Sequence, residues 1–215
     1  MILCDIGNTT FHFLRGDNAF KVSINKSLDG VFAEELEAGE FVYFISVNEN
    51  ESLVLKAKFP NAIDLSPFIK LNTHYAQTLG IDRAMACTTI EDGIVVDFGT
   101  AITVDIMKDG IHLGGYIFPG FDTLCRIYPQ ISDKLSFEFK ENLELDTIPK
   151  NTNEAISMAI LQMIVAPIKE LQNKYKSKLI ITGETAKYFL PYLDNFEIRE
   201  KLIFENMKKI IEEIQ

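Results

Sequence analysis

The chain has 215 residues, enough for two compact lobes of ordinary domain size, and 47% of its residues are hydrophobic. It carries 21 basic and 31 acidic residues, a formal net charge of −10, without a run of Lys or Arg that could form a basic face. This balance argues against a nucleic-acid-binding protein, and it implies that any bound phosphate is held by backbone amides and metal ions.

The N-terminal half predicts an antiparallel meander of strands followed by alternating helices and strands. The meander comprises MILCDI, TFHFLR and AFKVSI, with a hairpin turn at Gly-Asp-Asn before the last strand. A helix is predicted over SLDGVFAEELEAG, which ends at Gly39, and a strand over FVYFISV. A further helix, NENESLVLKAKF, has Asn48 or Asn50 as its cap and precedes a short strand, AIDLS.

The C-terminal half repeats this plan. GIVVDF, AITVDIM and IHLGGYIF are predicted strands, followed by a helix from Phe121 to about Ile131 and an irregular segment over residues 132–150. A long helix then begins at a cap formed by Asn151 or Thr152. The strand KLIITG, the helix ETAKYFLPYL and the terminal helix REKLIFENMKKIIEEIQ complete the chain. The apolar stripe of the terminal helix is expected to pack in the core: Ile203, Met207, Ile210, Ile214.

The order β-β-β-α-β-α-β therefore occurs twice, which indicates a duplicated α/β lobe. In this duplication Asp5-Ile6-Gly7-Asn8-Thr9 aligns with Asp97-Phe98-Gly99-Thr100-Ala101. The linker between the two copies lies between about Pro67 and Asp92.

Each copy places Asp-x-Gly at the end of an apolar strand. Glycine permits a tight turn and a close approach by a ligand. A carboxylate repels phosphate, so Asp5 and Asp97 suit a phosphate site only if a cation lies between them and the phosphate. The polar side chains that follow can donate hydrogen bonds to phosphate oxygens: Asn8, Thr9, Thr10, Thr100. One such turn alone is more often purely structural, but the second copy favours a clamp for a metal-nucleotide.

The three cysteines, Cys4, Cys87 and Cys125, are odd in number and lack a Cys-x-x-Cys pair. We therefore expect reduced, buried thiols and neither a disulfide framework nor a zinc site. The chain begins without the basic segment and long apolar core of a signal peptide, and no apolar stretch approaches the length of a membrane span. A cytoplasmic protein that does not associate with membranes is expected.

Four motifs resemble those of the type III pantothenate kinases, within the acetate kinase, sugar kinase, Hsp70 and actin superfamily. They are DIGNT at Asp5–Thr9, GIDRAMAC at Gly80–Cys87, VVDFGTAITVD at Val95–Asp105 and GGYIFPG at Gly114–Gly120. The resemblance implies an α/β fold of two duplicated ribonuclease-H-like lobes, with mixed β-sheets flanked by helices, as in actin-like ATPases.

The resemblance also implies how the chain is divided and what it does. Residues 1–75 would form the lobe with the first phosphate-binding turn, residues 76–92 an inter-lobe segment with the substrate motif, and residues 93–215 the lobe with the second turn. The implied reaction is phosphorylation of pantothenate by ATP to 4′-phosphopantothenate, the first step of coenzyme A biosynthesis. Mg²⁺ with ATP, a monovalent cation (K⁺ or NH₄⁺) and a homodimer are implied as well.

The family's site residues carry over by motif. The first phosphate-binding turn would contain eight consecutive residues: Asp5, Ile6, Gly7, Asn8, Thr9, Thr10, Phe11, His12. Thr100 would contact ATP from the second turn, Asp97 would hold the monovalent cation, and Asp5 would hold the Mg-nucleotide. The residues lining the pantothenate pocket would be Tyr75, Gly80, Ile81, Asp82, Arg83 and Thr152, with Asp82 as the general base. The family's tyrosine is followed by a proline that is absent near Tyr75, so a core or lid aromatic is an equal interpretation of that residue.

Other interpretations stay open. From the dipeptide alone, Asp82–Arg83 would be a helix cap followed by a surface ion pair. The superfold also supports other phosphotransferases or phosphohydrolases, acting on a sugar or on polyphosphate. A non-catalytic, nucleotide-binding regulator is the third hypothesis, against which the retained Asp5, Asp82 and Asp97 argue.

Overall fold

The computed structural model describes residues 1–26, 28 and 40–214, and the chain divides into two compact units. The first unit comprises Met1–Thr89 together with Lys201–Gln215, and the second comprises Ile90–Glu200. The C-terminal helix thus belongs to the first unit, whereas the sequence grouped it with the second copy. The helix predicted over SLDGVFAEELEAG lies, apart from Leu28, outside the described residues.

The first unit is built on a sheet with the strand order β3-β2-β1-β4-β5, in which β1 pairs antiparallel with β2 and parallel with β4. The predicted meander and the two strands that follow it are confirmed. The bounds are β1 Ile2–Ile6, β2 Thr10–Arg15, β3 Asn18–Ser23, β4 Val42–Ser46 and β5 Ile63–Asp64.

The central strand β1 contributes to hydrophobic clusters on both faces of this sheet. Ile2, Cys4 and Ile6 pack in one cluster, while Leu3 packs in another together with Met85. This is why the strand is apolar at nearly every position instead of alternating. Because successive side chains of a strand point to opposite faces, Asp5 shares the face of Leu3.

Helix α1 (Glu49–Lys58) follows β4 and is capped by Asn48, whose Oδ1 accepts a hydrogen bond from the backbone N–H of Glu51 at 3.3 Å. The sequence had left Asn48 and Asn50 as alternatives for this cap, and Asn48 is the one observed.

The segment between about Pro67 and Asp92, which the sequence assigned to a linker, contains regular structure. It holds the short strand β6 (Asn72–Thr73) and helix α2 (Ile81–Cys87). The helix is seven residues long and five of its residues are buried, so it has no amphipathic period that a sequence pattern could detect.

The second unit repeats the topology of the first. Its strands are ordered β9-β8-β7-β10-β11, with β7 antiparallel to β8 and parallel to β10. This is the order of the first sheet, so the predicted duplication of two mixed α/β lobes is confirmed. The bounds are β7 Gly93–Phe98, β8 Ala101–Lys108, β9 Ile111–Pro119, β10 Leu179–Thr182 and β11 Phe196–Ile198.

Two helices supply much of the core of the second unit. Helix α3 (Phe121–Ile131) has the predicted bounds, and α4 (Thr152–Tyr175) continues through Pro167. Asn151 caps α4 by accepting a hydrogen bond from the N–H of Glu154 at 3.0 Å. The apolar faces of both helices pack with alternate residues of β7 in one hydrophobic cluster.

The prediction of a helix over ETAKYFLPYL was wrong. The segment forms two 3₁₀ turns, Glu184–Tyr188 and Leu190–Tyr192. Pro191 lacks an N–H and disfavours the α conformation at the residue before it, which weakens an α-helix in this short segment. Strand β11 was not predicted, because its three residues are largely exposed and show no alternation.

The terminal helix is confirmed as α5 (Leu202–Ile214). Met207 and Ile210 of the predicted stripe are buried in the cluster that contains Leu3 and Met85, whereas Ile214 is 40% exposed. Within residues 1–26, 28 and 40–214, no helix combines the length and the apolar character needed to cross a membrane.

Candidate active site

The turn predicted to bind phosphate first along the chain is the hairpin between β1 and β2. Gly7 donates its N–H to the carbonyl of Thr10 at 3.0 Å, and the Thr9 carbonyl accepts the N–H of Ile24 at 3.0 Å. These bonds hold the turn against β3, while the side chains of Asn8 and Thr9 are exposed. The turn therefore presents polar groups from a fixed backbone.

The eight residues predicted for this turn do not contribute in the same way. Ile6 and Phe11 are buried in the core, which leaves only their backbone for a ligand. Asp5 lies opposite His12 in the strand register, and both side chains are half-buried. The His12 ring stands edge-on to Phe204 of α5, with 4.8 Å between the ring centroids.

Helix α2 begins at Gly80, and this glycine determines where the Asp82 carboxylate can lie. Oδ1 of Asp82 accepts the N–H of Arg83 at 2.8 Å. A Cβ added at Gly80 would come within 2.6 Å of that same oxygen. Any side chain at position 80 would therefore push the carboxylate away from its hydrogen bond.

Arg83 is buried, with an exposed fraction of 5%, so the surface ion pair considered from the dipeptide is not what the structure contains. Its guanidinium carbon lies 5.0 Å from the centroid of the Tyr75 ring, a cation–π arrangement. Tyr75 is half-buried, and its N–H donates to Oγ1 of Thr73 at 2.9 Å. The structure thus brings Tyr75 to the motif that contains Asp82.

The predicted second phosphate-binding turn joins β7 to β8, and its loop is one residue shorter than that of the hairpin between β1 and β2. Gly99 donates its N–H to the carbonyl of Ala101 at 3.2 Å, and Thr100 is exposed. Gly120, which begins helix α3, donates its N–H to the carbonyl of Thr100 at 3.1 Å. A Cβ at Gly120 would overlap the carbonyl oxygens of Thr100 and Gly99, so only glycine fits there.

This close approach brings the amino end of α3 directly to the second turn. The first N–H groups of a helix have no partner within the helix and favour an anion. Helix α3 is eleven residues long, which is enough to present such an end. The turn and the helix together form a site suited to a phosphate group.

A second glycine, Gly183, packs closely against the end of the strand that leads into this turn. Gly183 follows β10 with a φ of +92°, and a Cβ there would lie 2.5 Å from backbone atoms of Phe98 and 2.6 Å from Oδ1 of Asp97. Thr185 donates its hydroxyl to the Phe98 carbonyl at 2.9 Å. The end of β7 is therefore held by the chain segment that follows β10.

The surroundings of Asp97 fit a cation. Its Oδ1 lies between two glycines, 3.6 Å from a Cβ built at Gly99 and 2.6 Å from one built at Gly183. Neither glycine fills this space with a side chain, and the carboxylate is only half-buried. Carboxylate oxygens are ligands that hard cations prefer.

Thr152 belongs to a different unit from the other residues predicted for the pantothenate pocket. It is the first residue of α4 and is exposed in the second unit, whereas Tyr75 and Gly80–Arg83 belong to the first unit. Gly120 and Thr185 were given no role by the sequence, and Gly183 was noted only as a loop glycine. The signal that could have found Gly183 is its position directly after an apolar strand, which it shares with Gly99.

The cysteines are free thiols, as expected; Cys4 and Cys87 are buried, whereas Cys125 is only partly buried. Cys4 and Cys125 have a raised pKa. Burial, and next the charge of Asp5, raise the pKa of Cys4 well above its usual range. Burial, and next Asp122, raise the pKa of Cys125 to about 11. Both thiols therefore stay protonated at neutral pH.

A family model described as type III pantothenate kinase matches residues 49–174 of the chain. Curated relatives with that same description include a protein from Campylobacter jejuni, 42% identical over 99% of this chain and 97% of its own length. A protein from Wolinella succinogenes is 39% identical over 100% of this chain and 98% of its own length.

Solved structures agree on the fold. A Campylobacter jejuni protein described as a candidate Baf family transcriptional activator has a TM-score of 0.83 and 39% identity, covering 100% of this chain and 98% of that one. A Sinorhizobium meliloti protein described as a candidate 2-dehydro-3-deoxygalactonokinase has a TM-score of 0.58 at 10% identity, covering 99% of this chain and 98% of that one. At 10% identity, the similarity to the Sinorhizobium meliloti protein shows a shared fold alone.

Gly183→Ala is expected to destabilise the second unit. The backbone conformation alone costs a non-glycine residue about 1–3 kcal/mol, and the overlap with Phe98 adds to that loss. Denaturant unfolding followed by circular dichroism measures the change. Gly110→Ala is the matched control, because Gly110 also has a positive φ, +72°, but nothing lies within 4 Å of its added Cβ. Equal losses in both variants would contradict a role for the close packing at Phe98.

Proposed function

The chain belongs to the type III pantothenate kinase family, and we propose that Asp82 is the general base in its ATP-dependent phosphorylation of pantothenate. The enzyme performs this reaction in coenzyme A biosynthesis. The observation that carries the proposal is the placement of the Asp82 carboxylate by Gly80 and by the N–H of Arg83.

The chemistry requires little more than positioning and neutralisation of charge, because phosphoryl transfer passes through a loose transition state. Oδ1 of Asp82 accepts the Arg83 N–H, and within the described part of the chain no hydrogen bond occupies Oδ2. Oδ2 would take the proton of the primary hydroxyl of pantothenate as that oxygen bonds to the γ-phosphorus. The bond from phosphorus to the bridging oxygen then breaks, and ADP leaves with the electron pair.

The two hairpin turns would hold the phosphates of ATP. Asn8, Thr9 and Thr10 would donate from the first turn, and Thr100 and the amino end of α3 from the second. Asp5 would hold the Mg²⁺ of the nucleotide, which neutralises phosphate charge when it is bound. Asp97 would hold a monovalent cation, K⁺ or NH₄⁺, and the two glycines beside its Oδ1 support this role.

The pantothenate pocket would be lined by Tyr75, Gly80, Ile81 and Arg83, with Thr152 as a further contact. The burial of Arg83 beneath the Tyr75 ring supports a role in fixing the pocket wall. The cytoplasmic location and the lack of a nucleic-acid partner, both expected from the sequence, stay predictions.

A role in transcription is the second candidate, because the similar Campylobacter jejuni structure is described as a candidate transcriptional activator. The net charge of −10 opposes direct contact with DNA. Salt-sensitive retention on DNA by a protein without turnover would favour this candidate over the kinase.

Asp82→Asn is expected to keep the fold and ATP binding and to lower kcat by about 10²- to 10⁴-fold, the usual contribution of a general base. Gly80→Ala should give a smaller loss of kcat with little change in Tm, because it displaces the carboxylate without removing it. ADP release with ATP, Mg²⁺ and pantothenate measures both variants. Turnover of Asp82→Asn at the wild-type rate would show that Asp82 is not the base.

We expect the rate of turnover to depend on the monovalent cation, because Asp97 is proposed to bind it. The wild-type rate is expected to be higher in K⁺ or NH₄⁺ buffer than in Na⁺ buffer at equal ionic strength. Asp97→Asn should lower the rate in K⁺ to about the Na⁺ level, since it removes one charged ligand. Turnover of the wild type that is indifferent to the cation would remove this role and leave the kinase assignment intact.

We further propose that two chains associate through helix α4. Its exposed residues carry no charge over about four turns: Thr152, Ala155, Ala159, Gln162, Met163, Ala166. Met163 is 45% exposed, which is unfavourable for a free helix surface but suitable for an interface.

Light scattering is expected to give the mass of two chains for the wild type and of one chain for Ala159→Glu, which places a charge in the middle of this face. Glu170→Lys is the control, because Glu170 is exposed on the same helix beyond the uncharged stretch. A wild-type mass of one chain would contradict the homodimer, and an unchanged mass for Ala159→Glu would exclude α4 as the interface.

A further inference from the structure

Helix α2 carries the catalytic motif at its amino end, but seven residues are too few for a helix to be stable alone. Its last carbonyl groups lack the regular partner four residues on, and a backbone donor at that end, the N–H of Thr88, reaches the Met85 carbonyl at 3.4 Å. The position of Asp82 therefore depends on what holds the carboxyl end of α2.

Side chains satisfy the carbonyls at that end. Thr88 donates its hydroxyl to the Ala84 carbonyl at 2.8 Å. Asn206 of α5 donates its amide to the carbonyls of Met85, at 2.7 Å, and Ala86, at 3.2 Å. The Oδ1 of Asn206 accepts the hydroxyl of Thr89 at 2.7 Å.

Asn206 has no exposed surface, and it lies about 120 residues beyond α2 in the chain. Its orientation is fixed by chemistry, because carbonyl oxygens can only accept hydrogen bonds and so must face the amide nitrogen. Both N–H groups and the carbonyl oxygen of the side chain are thus used to hold the end of α2 and the residue that follows it.

Apolar contacts also join α5 and α2. Phe204, Met207 and Ile211 pack in the cluster that contains Met85. Apolar contact is not directional, so it resists a small slide or tilt of α2 only weakly. The hydrogen bonds of Asn206 are directional, and they define one position of α2 on α5.

We propose that Asn206 is a positioning residue for phosphoryl transfer, which fixes Asp82 at one end of α2 by holding the carbonyls at the other end. The inference rests on the proposed role of Asp82 as the general base. Asp82 and Met85 are three residues apart, about 4.5 Å along the helix axis, so a tilt at the carboxyl end is transmitted to the carboxylate.

The first variants are Asn206→Asp and Thr89→Val. Asn206→Asp keeps the size of the side chain but turns an oxygen toward the carbonyls of Met85 and Ala86. Since an ångström of misplacement can cost about 10²-fold in rate, we expect kcat to fall about tenfold or more while the KM for ATP changes less than about twofold. Thr89→Val removes one hydrogen bond and should lower kcat by a few-fold, and Thr89→Ser should restore it.

Val22→Ala is the matched control for lost stability. Val22 is buried in the first unit, in the cluster on the sheet face away from Leu3 and Met85. The Val22→Ala substitution should lower Tm without changing the kcat measured per folded molecule. If Asn206→Asp does not fold, the comparison of Thr89→Val with Thr89→Ser and Val22→Ala decides the question.

A double-mutant cycle separates positioning of Asp82 from a general loss of structure. In the Asp82→Asn background, Asn206→Asp should cause little further loss of the residual kcat, because there is no base left to position. The same loss in both backgrounds, or a kcat unchanged by Asn206→Asp and Thr89→Val, would overturn the inference. Wild-type turnover of Asp82→Asn alone would instead overturn the proposed base, independently of any Asn206 variant.

Discussion

Both units of this protein meet the same physical constraint, which is that a charged carboxylate lies at the end of a buried central strand. Asp5 and Asp97 each follow a run of apolar residues whose side chains pack in the core, and each is only half-buried. A charge at such a point is costly unless a cation or hydrogen-bond donors compensate it. The hairpins that follow supply exposed amide and hydroxyl groups, and the neighbouring glycines place no side chain beside the carboxylate of Asp97.

Three glycines pack closely against the residues of the candidate site. Gly80 leaves room for the Asp82 carboxylate, and Gly120 and Gly183 approach the second turn where any side chain would overlap it. Each of these contacts fixes a position without adding a functional group. Such rigid placement suits phosphoryl transfer, in which the protein contributes mainly geometry and charge.

Different relatives of this chain show its fold and its family. The Sinorhizobium meliloti neighbour shares the architecture at 10% identity, and an architecture of this kind serves many substrates. The relatives at about 40% identity match nearly the full chain, and they place it among the type III pantothenate kinases. The family is thus shown by these relatives, whereas the architecture alone does not identify a substrate.

The sequence by itself determined most of the strands, the duplicated turns and the family, and it limited the cap of α4 to Asn151 or Thr152, because each depends on residues close together in the chain. It missed α2, β11 and the 3₁₀ turns near Pro191, whose patterns are too short to have a period. Only the tertiary structure decided that Arg83 is buried, that Gly183 closes on Phe98 and that Asn206 holds the end of α2. These contacts join residues far apart in the chain, and their geometry exists only once the sheets and helices have packed.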